Sequence, residues 1–179
     1  ENVVASEISI SNSDVHSTLD LRIKSADKID LSESYLHSIT DLNFQKPDAL
    51  KQLVLIGTKN LGKIIIFWEK NQVRNLIMNQ DVQARDWAEQ FNIIKDNFTK
   101  NGQYNDEDYA YVHYKRYDLA SRKQMALSSE RLPKPLVHLS YGLKSLIFDK
   151  MGLFATSPNR VFLSMIVAIA GFASIYMFF

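Results

Sequence analysis

The chain has 179 residues with 21 Lys and Arg against 20 Asp and Glu, a net charge of +1, so bulk charge gives no ground for a nucleic-acid partner. A hydrophobic fraction of 46% with 23% charged residues excludes a wholly disordered chain. The absence of cysteine excludes disulfides, thiolate zinc sites, iron–sulfur ligation and a cysteine nucleophile.

Residues 1–80 read as a β-rich domain. Short β-prone runs recur at intervals of about 10 to 12 residues: Ile8–Ile10, Leu19–Ile23, Ile29–Leu31, Leu42–Phe44, Leu53–Ile56, Ile64–Trp68 and Leu76–Met78. Turn formers separate them, as in Ser11-Asn12-Ser13-Asp14, Gln45-Lys46-Pro47-Asp48 and Gly57-Thr58-Lys59-Asn60. Two arrangements fit. One is a β-solenoid whose turns stack and share a column of Ile and Leu; the other is a small sandwich or roll. No fixed repeat motif separates the two.

Residues 81–132 change to a helical period. Trp87, Phe91, Ile94 and Phe98 step by 4, 3 and 4 and share one stripe. Asn101-Gly102 is a helix stop. Asn105 is the expected N-cap of a second helix whose first turn carries Asp106, Glu107 and Asp108, and Ala110, Tyr114, Tyr117 and Ser121 share its face. An antiparallel helical hairpin follows. Five tyrosines, at 104, 109, 111, 114 and 117, are interleaved with His113, Lys115 and Arg116. Single-stranded nucleic acid can use such a pattern, but Tyr also buries area while keeping a polar tip. Protein packing or a subunit contact is expected, with Tyr109, Tyr114 and Tyr117 as the interaction residues and no nucleic acid.

Pro133 and Pro135 end the hairpin, and residues 133–160 form an amphipathic segment. Leu136, Leu139, Leu143, Leu146, Ile147 and Phe154 make one broad stripe. That pattern suits a helix in the headgroup layer, with Lys144, Lys150 and Arg160 as membrane-interface residues; a helix packed on the hairpin is the alternative. Residues 161–179 contain no Asp, Glu, Lys, Arg, His, Asn or Gln. As a helix they reach about 28 Å, close to the hydrocarbon thickness of a bilayer, and a transmembrane helix is expected. Ala168, Gly171 and Ser174 are small enough to line a contact with another helix. Between Lys115 and Arg160 there are nine Lys or Arg and three acids, which puts the N-terminal side in the cytoplasm. Glu1 in place of Met, and a last residue, Phe179, without a polar tail, lead to the expectation of a fragment.

Little in the sequence suggests catalysis. The four histidines, His16, His37, His113 and His138, are scattered, and each is expected to be an ordinary packed or solvated residue. Gly57 to Lys63 lacks the spacing of a phosphate loop, and no serine elbow occurs. The expectation is therefore no enzyme, no catalytic residue, no metal and no cofactor.

The order of segments resembles that of bacterial pentapeptide-repeat-containing proteins with a C-terminal two-helix potassium-channel-type pore. The likeness lies in Phe98 through Asp108 leading into Tyr111-Val112-His113-Tyr114-Lys115-Arg116, then Tyr141-Gly142 through Ser157-Pro158-Asn159-Arg160-Val161, and covers roughly residues 85–179. Residues 29–44 keep the five-residue register only in patches such as Ile29-Asp30-Leu31-Ser32-Glu33. The chain holds no T-x-G-Y-G filter and no second span, so no filter residue is carried over. The resemblance implies a membrane-anchored cytoplasmic regulatory or assembly region of an ion-channel-like protein in a bacterial inner membrane, non-conducting in this form, with the lipid bilayer and a homo-oligomer or other complex subunits as partners. The alternative is a tail-anchored scaffold or accessory subunit of a larger membrane complex.

Overall fold

The computed structural model describes residues 4–129 and 133–178. It is a mixed α/β structure that divides at Tyr117/Asp118 into two compact units. Residues 130–132, at the expected end of the hairpin, and Phe179, the expected last residue of the span, lie outside the described residues.

The first unit begins with nine short strands: β1 (Val4–Ser9), β2 (Asp14–Val15), β3 (Leu19–Asp20), β4 (Ser25–Asp30), β5 (Tyr35–Leu36), β6 (Ile39–Asp41), β7 (Leu50–Val54), β8 (Lys59–Asn60) and β9 (Lys63–Ile65). They form three parallel sheets, ordered β1-β4-β7, β2-β5-β8 and β3-β6-β9. The chain visits the three sheets in turn and completes the circuit three times. Ile8 pairs with Ile29, and Ile29 with Leu53; Leu19, Thr40 and Ile64 align in the same way. The second circuit thus follows the first at an offset of 21 residues, and the third follows at 24. The 3₁₀ turn at Pro47–Ala49 lies in the longer connection.

This register exposes a repeat that the amino-acid order alone disguises. Residues 8–23 (ISISNSDVHSTLDLRI), 29–44 (IDLSESYLHSITDLNF) and 53–68 (LVLIGTKNLGKIIIFW) superpose position for position. The column formed by Ile10, Leu31 and Leu55 runs through the interior, and Ile29, Leu31, Leu36, Leu42, Leu53, Leu55, Ile64 and Ile66 are almost wholly shielded from solvent. Each such side chain contributes about 1.5–3 kcal/mol. One corner recurs in a left-handed conformation in every circuit, at Asn12 (φ 52°), Glu33 (φ 54°) and Gly57 (φ 71°). Asn and Gly suit that region, whereas Glu33 is strained there.

Three helices complete the unit: α1 (Val73–Met78), α2 (Ala84–Asn101) and the first part of α3 (Tyr104–Ser128). These helices and the α1–α2 connection supply polar side chains to the backbone of the third circuit and the residues after it. Asn97 accepts from the Ile64 N–H at 2.7 Å and donates to the Ile64 carbonyl at 2.8 Å. Gln90 accepts from Leu55 N at 2.9 Å, and Gln80 donates to the Leu53 carbonyl at 2.6 Å. Asp106 accepts from Trp68 N at 3.1 Å. Peptide groups that would otherwise form an open sheet edge are satisfied in this way.

Some expectations are corrected. Leu76-Ile77-Met78 is helical, in α1, because Val73, Leu76 and Ile77 are buried at i, i+3 and i+4. The run Ile64–Trp68 is strand only as far as Ile65. Asn105 is not an N-cap: α3 already begins at Tyr104, and the Gln103 carbonyl accepts from Glu107 N at 2.9 Å. The β region does not end as a separate body at residue 80, since the amides of α2 bind its backbone. The stop at Gly102 has the expected left-handed φ of 71°.

The second unit holds the last part of α3, α4 (Lys134–Lys144), a π-helical turn at Ser145–Met151, a 3₁₀ turn at Leu153–Ala155 and α5 (Pro158–Phe178). Leu153, Phe154 and Ala155 carry φ values of 43°, 55° and 70°, each disfavoured by about 1–2 kcal/mol for a side-chain-bearing residue. The amphipathic segment is therefore interrupted at Gly152 and does not run as one helix to Phe154.

Candidate membrane-anchoring surface

In α5, one 20-residue stretch, Pro158–Met177, is long and apolar enough to cross a bilayer, and none of its most apolar window is buried in the protein. It starts three residues earlier than the uncharged run, because Pro158 is well placed in the first helical turn. Its polar groups are locally satisfied: Ser164 Oγ donates to the Val161 carbonyl at 2.7 Å, and Ser174 Oγ to Ala170 at 2.8 Å. Such bonding lets a serine sit in hydrocarbon without an orphan donor. Ala168, Gly171 and Ser174 lie exposed along this helix, and a Cβ placed on Gly171 would meet no atom within 4 Å. A neighbouring helix therefore has room to approach.

Upstream, Leu136, Leu139, Leu143, Leu146, Ile147 and Phe148 are each at least half exposed. A soluble surface does not normally present six large apolar side chains in one short stretch. Lys144, Lys150 and Arg160 are exposed in the same unit, and Lys144 Nζ rests over the Tyr141 ring, 4.7 Å from its centroid. The segment thus combines apolar anchors with cations, the composition of a helix at a lipid headgroup layer.

Two tyrosines of α3, Tyr114 and Tyr117, serve internal packing in the first unit, whereas Tyr104 and Tyr109 are exposed. Trp87 packs on Tyr117 at 5.1 Å, Phe91 on His113 at 5.1 Å, and Lys95 Nζ lies over Tyr114 at 5.7 Å. The two ring pairs, 87 with 117 and 91 with 113, run in opposite chain directions, so α2 and α3 lie antiparallel. Tyr114 and Tyr117 pack against the core, and Tyr117 donates to Met78 Sδ at 3.3 Å. Burial raises the phenol of Tyr117 above its ordinary pKa, against the opposing influence of Arg74 and Arg116. Tyr109 stacks on Trp68 at 6.0 Å and keeps half its surface exposed.

One constellation escapes any reading by local spacing. Asp14, His16 and His37 bring three possible ligand atoms within 4.8 Å of one another. The two histidines are 21 residues apart and occupy equivalent positions of successive circuits. The internal repeat, with His-Ser followed by Asp-Leu in both circuits, is the signal that would have paired them.

No protein-family model, curated protein or solved structure matches this chain.

Proposed function

We propose that the chain is a membrane-anchored module in which α5 spans the bilayer, the segment from α4 to Ala155 lies in the headgroup layer, and the N-terminal unit is a β-solenoid held at the cytoplasmic face as an assembly or regulatory region. The unburied apolar helix Pro158–Met177 carries this reading. Lys144, Lys150 and Arg160 add attraction to anionic lipid, about 1 kcal/mol for each cation near the surface. The solenoid reading is supported by the threefold circuit of in-register parallel strands. It is supported further by buried Leu21, Ala26, Leu31 and Leu36, which follow one another at five-residue intervals. That interval, with the order of the downstream segments, favours the regulatory region of an ion-channel-like protein. The chain does not conduct by itself and works as an oligomer through Ala168, Gly171 and Ser174.

Flotation of the purified chain with liposomes tests the anchor. Co-flotation that resists alkaline carbonate is expected, and a monodisperse protein in detergent-free buffer would refute it. Protease protection in sealed vesicles tests the orientation. Sequencing the gene beyond the Phe179 codon separates the channel reading from the scaffold alternative. A filter motif and a second span support the first, and a nearby stop codon leaves the second.

A further inference from the structure

We infer that Asp14, His16 and His37 form a binding site for a divalent first-row transition ion, with Zn²⁺ the ion of choice for a probe. The site follows from the register. β2 and β5 pair with Asp14 opposite Tyr35 and Val15 opposite Leu36, and His37 N donates to the Val15 carbonyl at 2.9 Å. His16 is therefore stacked on His37, with ring centroids 4.3 Å apart and planes inclined by 20°. Both imidazoles turn Nε2 toward the same carboxylate oxygen. Asp14 Oδ1 is 2.8 Å from Nε2 of His37 and 3.4 Å from Nε2 of His16.

Metal–ligand bonds of about 2.0–2.1 Å place neighbouring ligand atoms about 3.3 Å apart in a tetrahedral shell. The two nitrogen–oxygen separations straddle that value, and a modest rotation of the exposed His16 ring brings the nitrogens to it. Two imidazoles and one carboxylate are a donor set for Zn²⁺, Ni²⁺ or Cu²⁺ and a poor one for Mg²⁺ or Ca²⁺, which take oxygen ligands. Water completes the shell, because the side chains are solvent-facing. Tyr35 stacks on His37 at 6.4 Å and steadies that ring. The site is confined to two circuits, since the third carries Lys59 and Leu61 at the equivalent positions. A bound ion would tie the first circuit, whose strands are all sheet edges, to the second.

The test is calorimetric titration of the untagged full chain in detergent with ZnCl₂, alongside Co²⁺ absorption spectroscopy. One ion per chain is expected, with a Co²⁺ visible band of tetrahedral intensity and no competition from excess Ca²⁺ or Mg²⁺. His16→Ala and His37→Ala should each weaken binding at least about tenfold, the smaller end of what even outer-shell changes cost a metal site. His138→Ala should leave it unchanged. A thermal scan at saturating Zn²⁺ should show a rise in midpoint that is lost in both His variants. Absence of stoichiometric binding, unchanged affinity in His16→Ala, or equal competition by Ca²⁺ would each overturn the assignment.

Discussion

Gly62 offers the sharpest test of the stacked-circuit geometry. It sits in the third circuit directly over Ser38 of the second, and its N–H donates to the Leu36 carbonyl at 2.8 Å. A Cβ added there would come within 3.0 Å of the Ser38 carbonyl oxygen, carbonyl carbon and nitrogen. All three are backbone atoms locked in the ladder, so no rotamer change can relieve the clash, and the circuits must separate locally. Overpacking of this kind typically costs about 1–3 kcal/mol, and the rigidity of the obstacle places Gly62→Ala near the top of that range. Gly102→Ala is the control: its φ is +71°, but a Cβ would meet nothing within 4 Å, so only the left-handed penalty of about 1–2 kcal/mol applies. Trp68 and Trp87 both lie in the first unit, so their fluorescence during urea unfolding in a non-ionic micelle reports that unit. The expected result is a lower midpoint for Gly62→Ala than for Gly102→Ala. Equal midpoints, or a Gly62→Ala protein as stable as the parent, would refute the close approach of the two circuits.

Other substitutions probe different links. Asn97→Leu strands the Ile64 N–H, while the Ile64 carbonyl keeps a bond from Asn101 at 3.1 Å. At about 1–3 kcal/mol for an orphaned buried group it should lower the same unfolding midpoint more than Asn92→Leu, whose amide bonds only the Asp96 and Lys95 side chains of its own helix. Glu33→Asn relieves a left-handed corner and should stabilise the unit by about 0.5–1 kcal/mol in the same assay. The pH profile of stability should carry the mark of Lys28, which donates to Glu7 and Asp30, each at 2.9 Å. Burial opposes the charge of Asp30, yet hydrogen bonds from Ser32 and Lys28 outweigh it and lower its pKa below 3.8. Its contribution is therefore present above that pH and is lost as pH falls through the folded value. Lys28 is shifted upward from 10.5, first by its hydrogen bond to Asp30 and then by that to Glu7, so its contribution is complete below 10.5 and fades as pH rises further. Lys28→Met should flatten both limbs of an unfolding-midpoint-against-pH curve; an unchanged curve would refute the coupling.

The parts legible from the amino-acid order were those with a local period. The stripe Trp87, Phe91, Ile94 and Phe98 lies on one helix, with Phe91, Ile94 and Phe98 wholly buried, and the described part of the uncharged run after Arg160, to Phe178, forms one helix. Short strands at regular spacing were legible as well. Their parallel order was not, because it rests on pairing across 21 and 24 residues, and the three-residue difference at Pro47–Ala49 blurs the repeat. The Leu76-Ile77-Met78 run was misread because Val73, three residues earlier, completes a helical face that a short apolar run conceals. His16 and His37 carry no local signature of proximity. Of packing and subunit contact, the two roles open to the tyrosines, packing is seen for Tyr117, against the Trp87 and Phe91 rings, and for Tyr114, which lies against the core under Lys95.

The glutamine and asparagine side chains that finish the third circuit have a consequence for cooperativity. They make α2 a surrogate strand, supplying by side chain what a fourth circuit would supply by main chain. An isolated 4–80 fragment would leave Leu55 without Gln90 and Ile64 without Asn97 and Asn101, and its open edge would be a seed for edge-to-edge polymerisation. Strands and helices of this unit are thus bound to melt together, and a graft of the β portion onto another host must bring Gln90 and Asn97 with it.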